Sequence, residues 1–192
     1  MIRKSFLAFL FIFTLFIFSS VCVADEGDFS FGAVVGGVGL TGANMSQYGS
    51  NGFGYGGYMT YSPSSLFDMD INLVYSPHSN LSNQANSLYG TVALRTGISY
   101  DKLYPFLTAG VGVYRNSVEL FGGSDSIATF GFNVGAGMDI DLGQRIKIGL
   151  LVRYHPVFDR NVRAGFNGVS DMWDAMLRIG MLFKTSTQGG WD

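Results

Sequence analysis

The sequence predicts an all-β protein: an eight-stranded antiparallel up-and-down transmembrane β-barrel. Three observations predict it. Apolar residues recur at every second position, the connections alternate long and short, and aromatic residues gather at both ends of the apolar stretches. Composition frames the problem, because the chain is 47% hydrophobic and only 14% charged. Yet beyond residue 24 no apolar run approaches the roughly 20 residues that a membrane helix needs. Such a chain either buries a large core or turns alternate side chains toward lipid, and the period decides between the two.

The N-terminal segment carries an address. Arg3 and Lys4 form a basic start, Phe6 to Phe18 is apolar, and Cys22-Val23-Ala24 places small residues before a cut ahead of Asp25. This is the three-part grammar of a secretory signal peptide, and the apolar run is too short to span a bilayer comfortably. A lipoprotein reading would acylate Cys22, but Val21 stands where Gly, Ala or Ser is wanted. Residues 1–24 are therefore read as a signal peptide cleaved after Ala24, and residues 25–192 as one barrel domain. Cleavage removes the only cysteine and leaves ten basic residues against 14 acidic ones. No disulfide then staples the exported domain, and the balance is too acidic for a nucleic-acid partner.

The strands follow in order. Residues 29–41 are strand-like but too rich in Gly and Val for their faces to be assigned. In 53–61, Phe53, Tyr55, Met59 and Tyr61 share a face. In 66–76, Phe67, Met69, Ile71, Leu73 and Tyr75 oppose Asp68, Asp70 and Asn72. In 88–100, Leu88, Val92, Leu94, Ile98 and Tyr100 oppose Tyr89, Thr91, Arg95 and Ser99. In 103–114, Leu103, Leu107, Ala109, Val111 and Val113 oppose Tyr104, Thr108, Gly110, Gly112 and Tyr114. In 127–142 the even positions from Ala128 to Leu142 are apolar, while the odd ones are small or polar apart from Ile127. In 145–158, Ile146, Ile148, Leu150, Val152, Tyr154 and Phe158 oppose Arg145, Lys147, Arg153 and His155. In 172–183, Trp173, Ala175, Leu177, Ile179, Met181 and Phe183 oppose Asp174, Arg178 and Gly180. A helix would mix these sets, whereas a strand separates them.

The connections give an independent test. Longer segments at about 42–51, 77–87, 117–126 and 159–171 alternate with short ones at 62–65, 101–102 and 143–144. Outer-membrane barrels have short periplasmic turns and longer outer loops. Phe67, Tyr100 and Phe183 lie near the short-turn ends; Tyr75, Phe130, Tyr154, Phe158 and Trp173 lie near the long-loop ends. Two aromatic girdles around an aliphatic band suit a bilayer. A soluble barrel or sandwich would invert the faces, wetting the charges and burying the apolar walls. The signal peptide, the unequal rims and the aromatic ends favour the membrane.

A resemblance adds to this. Tyr104 to Tyr114 resembles the central strand of the OmpA/OmpX-like small outer-membrane β-barrel family. Gly135-Ala136-Gly137-Met138-Asp139-Ile140, with a tight turn and a strand ending in Arg153-Tyr154, is similar to that family's next hairpin. The resemblance covers the mature chain and implies a bacterial outer-membrane location. Arg178-Ile179-Gly180-Met181-Leu182-Phe183 resembles the terminal signal read by the barrel assembly machinery, although Thr185 stands at the usual closing aromatic.

The polar faces supply the candidate site. An eight-stranded barrel is just wide enough for side chains to fill. Asp68, Asp70, Arg95, Asp139, Asp141, Arg145, Lys147, Arg153, His155, Asp174 and Arg178 are expected to form a polar lumen network, with Tyr58, Tyr89, Tyr104 and Tyr114 as bulk. Buried charges of both signs pair. A narrow path for small solutes or ions is the alternative. His78-Ser79-Asn80, read as part of an outer loop, resembles in part the His/Ser pairing of lipid A deacylases. Those enzymes, however, place the pair two apart on a strand beside a carboxylate, so a lipid A-modifying enzyme is a remote alternative. Asp68-x-Asp70 and Asp139-x-Asp141 fall on strands, not in the oxygen-rich loops that hold calcium. No cofactor or metal is expected. Exposed loops on a rigid scaffold carry binding, and Arg160 and Arg163 suit anionic oxygens. The expectation is a monomeric, non-enzymatic barrel with a structural or surface-interaction role. Its expected partners are outer-membrane lipid, lipopolysaccharide and a host or matrix surface.

Overall fold

The computed structural model describes residues 27–41, 51–64, 66–80, 83–120, 123–143, 145–158 and 171–184. They form eight strands: β1 (Phe29–Thr41), β2 (Asn51–Ser64), β3 (Phe67–Asn80), β4 (Asn83–Gly97), β5 (Leu103–Leu120), β6 (Gly123–Leu142), β7 (Ile146–His155) and β8 (Asp171–Phe183). Each pairs antiparallel with its neighbour in sequence, and β8 pairs with β1 to close the barrel. Closure removes the free edges that would leave backbone groups unpaired in hydrocarbon.

The period-two pattern sorts as the sequence indicated. Ile71, Leu73, Leu94, Val111, Val113, Val134, Leu150, Val152, Leu177 and Ile179 face outward, while the opposite parity of each strand faces the lumen. β1 now acquires its faces: Phe31 and Val35 point out, and Ser30, Val34, Val38 and Leu40 point in. Glycine explains why periodicity alone left these faces open, since Gly32 and Gly36 empty positions on one face and Gly37 and Gly39 on the other.

The tight turns use the residues their geometry needs. Asp101 has φ 54° between β4 and β5, and Gly143 has φ 80° between β6 and β7. Both lie in the left-handed region that Gly and short polar residues tolerate. β4 stops at Gly97, short of the expected 100, and Tyr100 only bridges Leu103.

Two of the expected long loops are not loops. β3 and β4 pair as far as Asn80 and Asn83, and β5 and β6 as far as Leu120 and Gly123. The segments 77–87 and 117–126 are thus largely hairpin. Alternation loses its apolar half there, while the backbone ladder continues without it. Four adjacent strands, β3 to β6, therefore rise together beyond the apolar band. The expected loops at 42–51 and 159–171, with Arg160 and Arg163, lie outside the described residues apart from their last residues, Asn51 and Asp171, as do the signal peptide and Ala24.

On the outer side, the β2–β3 ladder ends at Tyr55 and Tyr75. Pro77 is the local cause. Its carbonyl points toward Gly52 of β2, so the side that would donate to β2 has no N–H.

Candidate functional site

The lumen is filled by two linked charge clusters and an apolar group. The first cluster centres on Asp70, inward on β3 because it shares the parity of Asp68 and Asn72. Arg178 of β8 reaches it at 2.8 Å and Arg95 of β4 at 3.5 Å. Arg95 also binds Asp139 of β6 at 2.6 Å and lies 3.9 Å from Asp68. Thr60 of β2 donates to Asp70 at 2.6 Å and accepts from Arg178 at 3.0 Å, while Asn72 donates to the other Asp70 oxygen. Two guanidiniums stack on rings, Arg95 at 3.7 Å from the Phe106 centroid and Arg178 at 4.0 Å from that of Tyr58. Each arginine thus offers its edge to carboxylates and its face to an aromatic ring.

The second cluster joins β4, β7 and β8. Arg153 makes a two-pronged contact with Asp174, Nη2 at 2.6 Å and Nε at 3.1 Å, and donates to Thr91 at 3.1 Å. Tyr89 donates its hydroxyl to Asp174 at 2.7 Å. His155 lies between them, with Nε2 3.2 Å from Asp174 and Nδ1 2.9 Å from the Tyr114 hydroxyl. Tyr89 and Tyr114 stack at 5.9 Å and carry the packing into an apolar group of Val34, Val38, Leu40, Val74, Met172, Met176 and Val157. Part of the lumen is thus apolar, beside the charge clusters.

Small residues make room for these large ones. A Cβ on Gly137 would collide with the Phe106 ring, one on Gly149 with the Asp139 carboxylate, and one on Gly180 with the Tyr58 hydroxyl.

The expected site residues divide accordingly. Asp68, Asp70, Arg95, Asp139, Arg153, His155, Asp174 and Arg178 converge in the lumen. Lys147 and Asp141 sit at the short-turn rim, 3.8 Å apart and partly exposed. Arg145 does not join the network: it is exposed in the β6–β7 turn, just before β7 begins, so its parity no longer aims it inward. His78 is also corrected. It lies within β3, buried and facing inward beside Ser76, with neither ring nitrogen hydrogen-bonded. Ser76 and His78 stand two apart on one strand face, but the face is the lumen's rather than the lipid's. Thr60, Thr91 and Phe106 belong to the network although charge and bulk did not single them out. Their inward parity alone was the available signal.

At the short-turn end the lumen opens into a cavity of about 320 Å³. Asp28, Asp68, Asp101 and Asp141 share its wall with Lys147, Lys184 and the hydroxyls of Ser30, Thr60 and Tyr104. Beyond it lie the two clusters, whose central side chains water does not reach. Arg95, Arg178 and Asp70 are 1% exposed and Asp174 is 0%.

The chain matches the family model described as the outer membrane protein beta-barrel domain over residues 11–182. It belongs to the outer-membrane β-barrel family. Comparison with curated proteins finds no match. Among solved structures this outer-membrane barrel is similar to Ail, the attachment invasion locus protein of Yersinia pestis. That pair shares 16% identity over 83% of this chain and 100% of the other, with a TM-score of 0.57. It is also similar to the N-terminal β-barrel domain of Pseudomonas aeruginosa OprF, at 14% identity, 82% and 98% coverage and a TM-score of 0.55. Neisserial surface protein A gives 16% identity, 83% and 98% coverage and 0.57. These likenesses are of fold, and they agree with the OmpA/OmpX-like resemblance in the sequence.

Proposed function

We propose that this outer-membrane barrel is a non-enzymatic, non-conducting scaffold that presents its outer end for binding at the cell surface. It would reach the membrane by export, with cleavage after Ala24. The carrying observation is the burial of Arg95, Arg178, Asp70 and Asp174 in the middle of the barrel. A water-filled path would leave its lining charges accessible. Here they contact one another and stack on rings, which supports a filled lumen over the narrow-channel alternative. The catalytic alternative has equally little support: His78 and Ser76 face a packed lumen, and no described carboxylate hydrogen-bonds to either side chain.

What remains available to partners is the outer end, where β3 to β6 rise beyond the apolar band. Rigid, hydrogen-bonded hairpins present side chains with little ordering cost. Binding of barrel-bearing whole cells to immobilised matrix and glycan surfaces tests the reading. Cells carrying a barrel with residues 116–127 replaced by a two-residue Asn-Gly turn should lose binding while the barrel still inserts. Equal binding by both strains would remove the surface role from these hairpins.

A further inference from the structure

The outward faces of β3, β4, β5 and β6 change character within two dyads, and the register aligns that change across all four strands. One row reads Leu73, Gly90, Val113 and Phe130, without a polar side chain. The next reads Tyr75, Leu88, Arg115 and Ala128. The one beyond reads Pro77, Asn86, Ser117 and Ser126. Each step advances about 7 Å along a strand. The surface does not turn away at this boundary. It is the same sheet face continuing, so it stands against whatever headgroups flank the barrel in the outer leaflet.

The middle row carries one cation. Arg115 is exposed on the lipid-side parity, its apolar stem beside Leu88 and Ala128 and its guanidinium 3.4 Å from Ser126 in the polar row. Among the described residues every other Lys or Arg lies in the lumen or at the periplasmic end: Arg95, Arg153 and Arg178 inside, Lys102, Arg145, Lys147 and Lys184 at the rim. An arginine so placed extends its stem along apolar surface and raises its charge to the interface. Its planar fork matches phosphate oxygens. The hydroxyls and amide above it, from Ser117, Ser126 and Asn86, suit sugar hydroxyls, and Tyr75 already donates to Asn86 at 3.1 Å.

We infer that the outer face of the β3–β6 wall is a lipopolysaccharide-binding surface, with Arg115 holding a lipid A phosphate and the serine-rich row above it lying against the adjoining sugars. This rests on the reading that the hairpins project from the outer leaflet. It does not depend on whether the lumen conducts.

The test uses mature protein refolded into vesicles of phosphatidylcholine alone or with lipopolysaccharide, reading the unfolding midpoint in urea. Lipopolysaccharide is expected to raise the wild-type midpoint. Arg115→Ala should lose most of that rise while matching wild type in phosphatidylcholine, and Arg115→Lys should keep part of it. Lys102→Ala, at the opposite rim, should keep all of it. Dephosphorylated lipopolysaccharide should behave as phosphatidylcholine does. An equal rise in Arg115→Ala would overturn the proposal, as would an equal rise with the dephosphorylated lipid. A rise reproduced by inorganic phosphate alone would also overturn it, by removing the lipid as the ligand. A conductance recording on the same vesicles reports separately on the closed lumen.

Discussion

Asp174 touches Arg153 through two nitrogens, the Tyr89 hydroxyl and His155, and it is fully buried. A buried pair of this kind is weak evidence of net stabilisation, because desolvation offsets the attraction. Breaking it from one side is costly, since it strands the remaining charge. Asp174→Leu is therefore expected to destabilise the barrel by about 3–5 kcal/mol, read from urea unfolding in detergent micelles. Adding Arg153→Met should restore most of that loss. If single and double variants unfold alike, the two residues do not act as a pair. Sequence showed both residues as inward charges, but not that they are partners. Pairing comes from the register of β7 on β8, where Arg153 stands opposite Asp174. The Arg95–Asp139 and Arg178–Asp70 contacts cross the lumen between strands that are not neighbours. No local pattern encodes those contacts, because they depend on the diameter of the closed barrel.

At the scale of elements, alternation located all eight strands and their faces except for β1, because lipid on one side and a packed lumen on the other impose a strict period of two. The same signal understated β3 to β6. Above the membrane neither face needs to be apolar, so Ser79–Asn80, Asn83–Gln84, Ser117–Leu120 and Gly123–Ser126 look like loop in sequence while their ladder persists. His78 was misplaced for that reason. Pro77 shows how one residue limits such a ladder. Pro77→Thr supplies the missing N–H on the side facing β2. Pairing should then extend past Tyr55–Tyr75 toward Phe53, adding about 0.5–1.5 kcal/mol, the usual net value of one hydrogen bond. Hydrogen exchange should show a slowly exchanging amide at position 77, whereas rapid exchange there would mean that Pro77 is not what ends the ladder.

For the whole molecule, closure makes the inside and outside interdependent. The apolar exterior holds the barrel in lipid, and the diameter set by eight strands brings side chains from opposite walls into contact. Arg95 and Arg178 meet on Asp70 from β4 and β8, while Tyr89 of β4 reaches Asp174 of β8. The result is a cylinder open as a cavity at its short-turn end and packed through its middle. The sequence's inward charges were compatible with either a plug or a pore, and the mutual burial of those charges favours the plug. Planar-bilayer recording of the refolded mature protein tests this most directly. The account predicts no reproducible unitary current from wild type. Discrete wild-type steps that disappear on substituting Arg95 or Arg153 would contradict it.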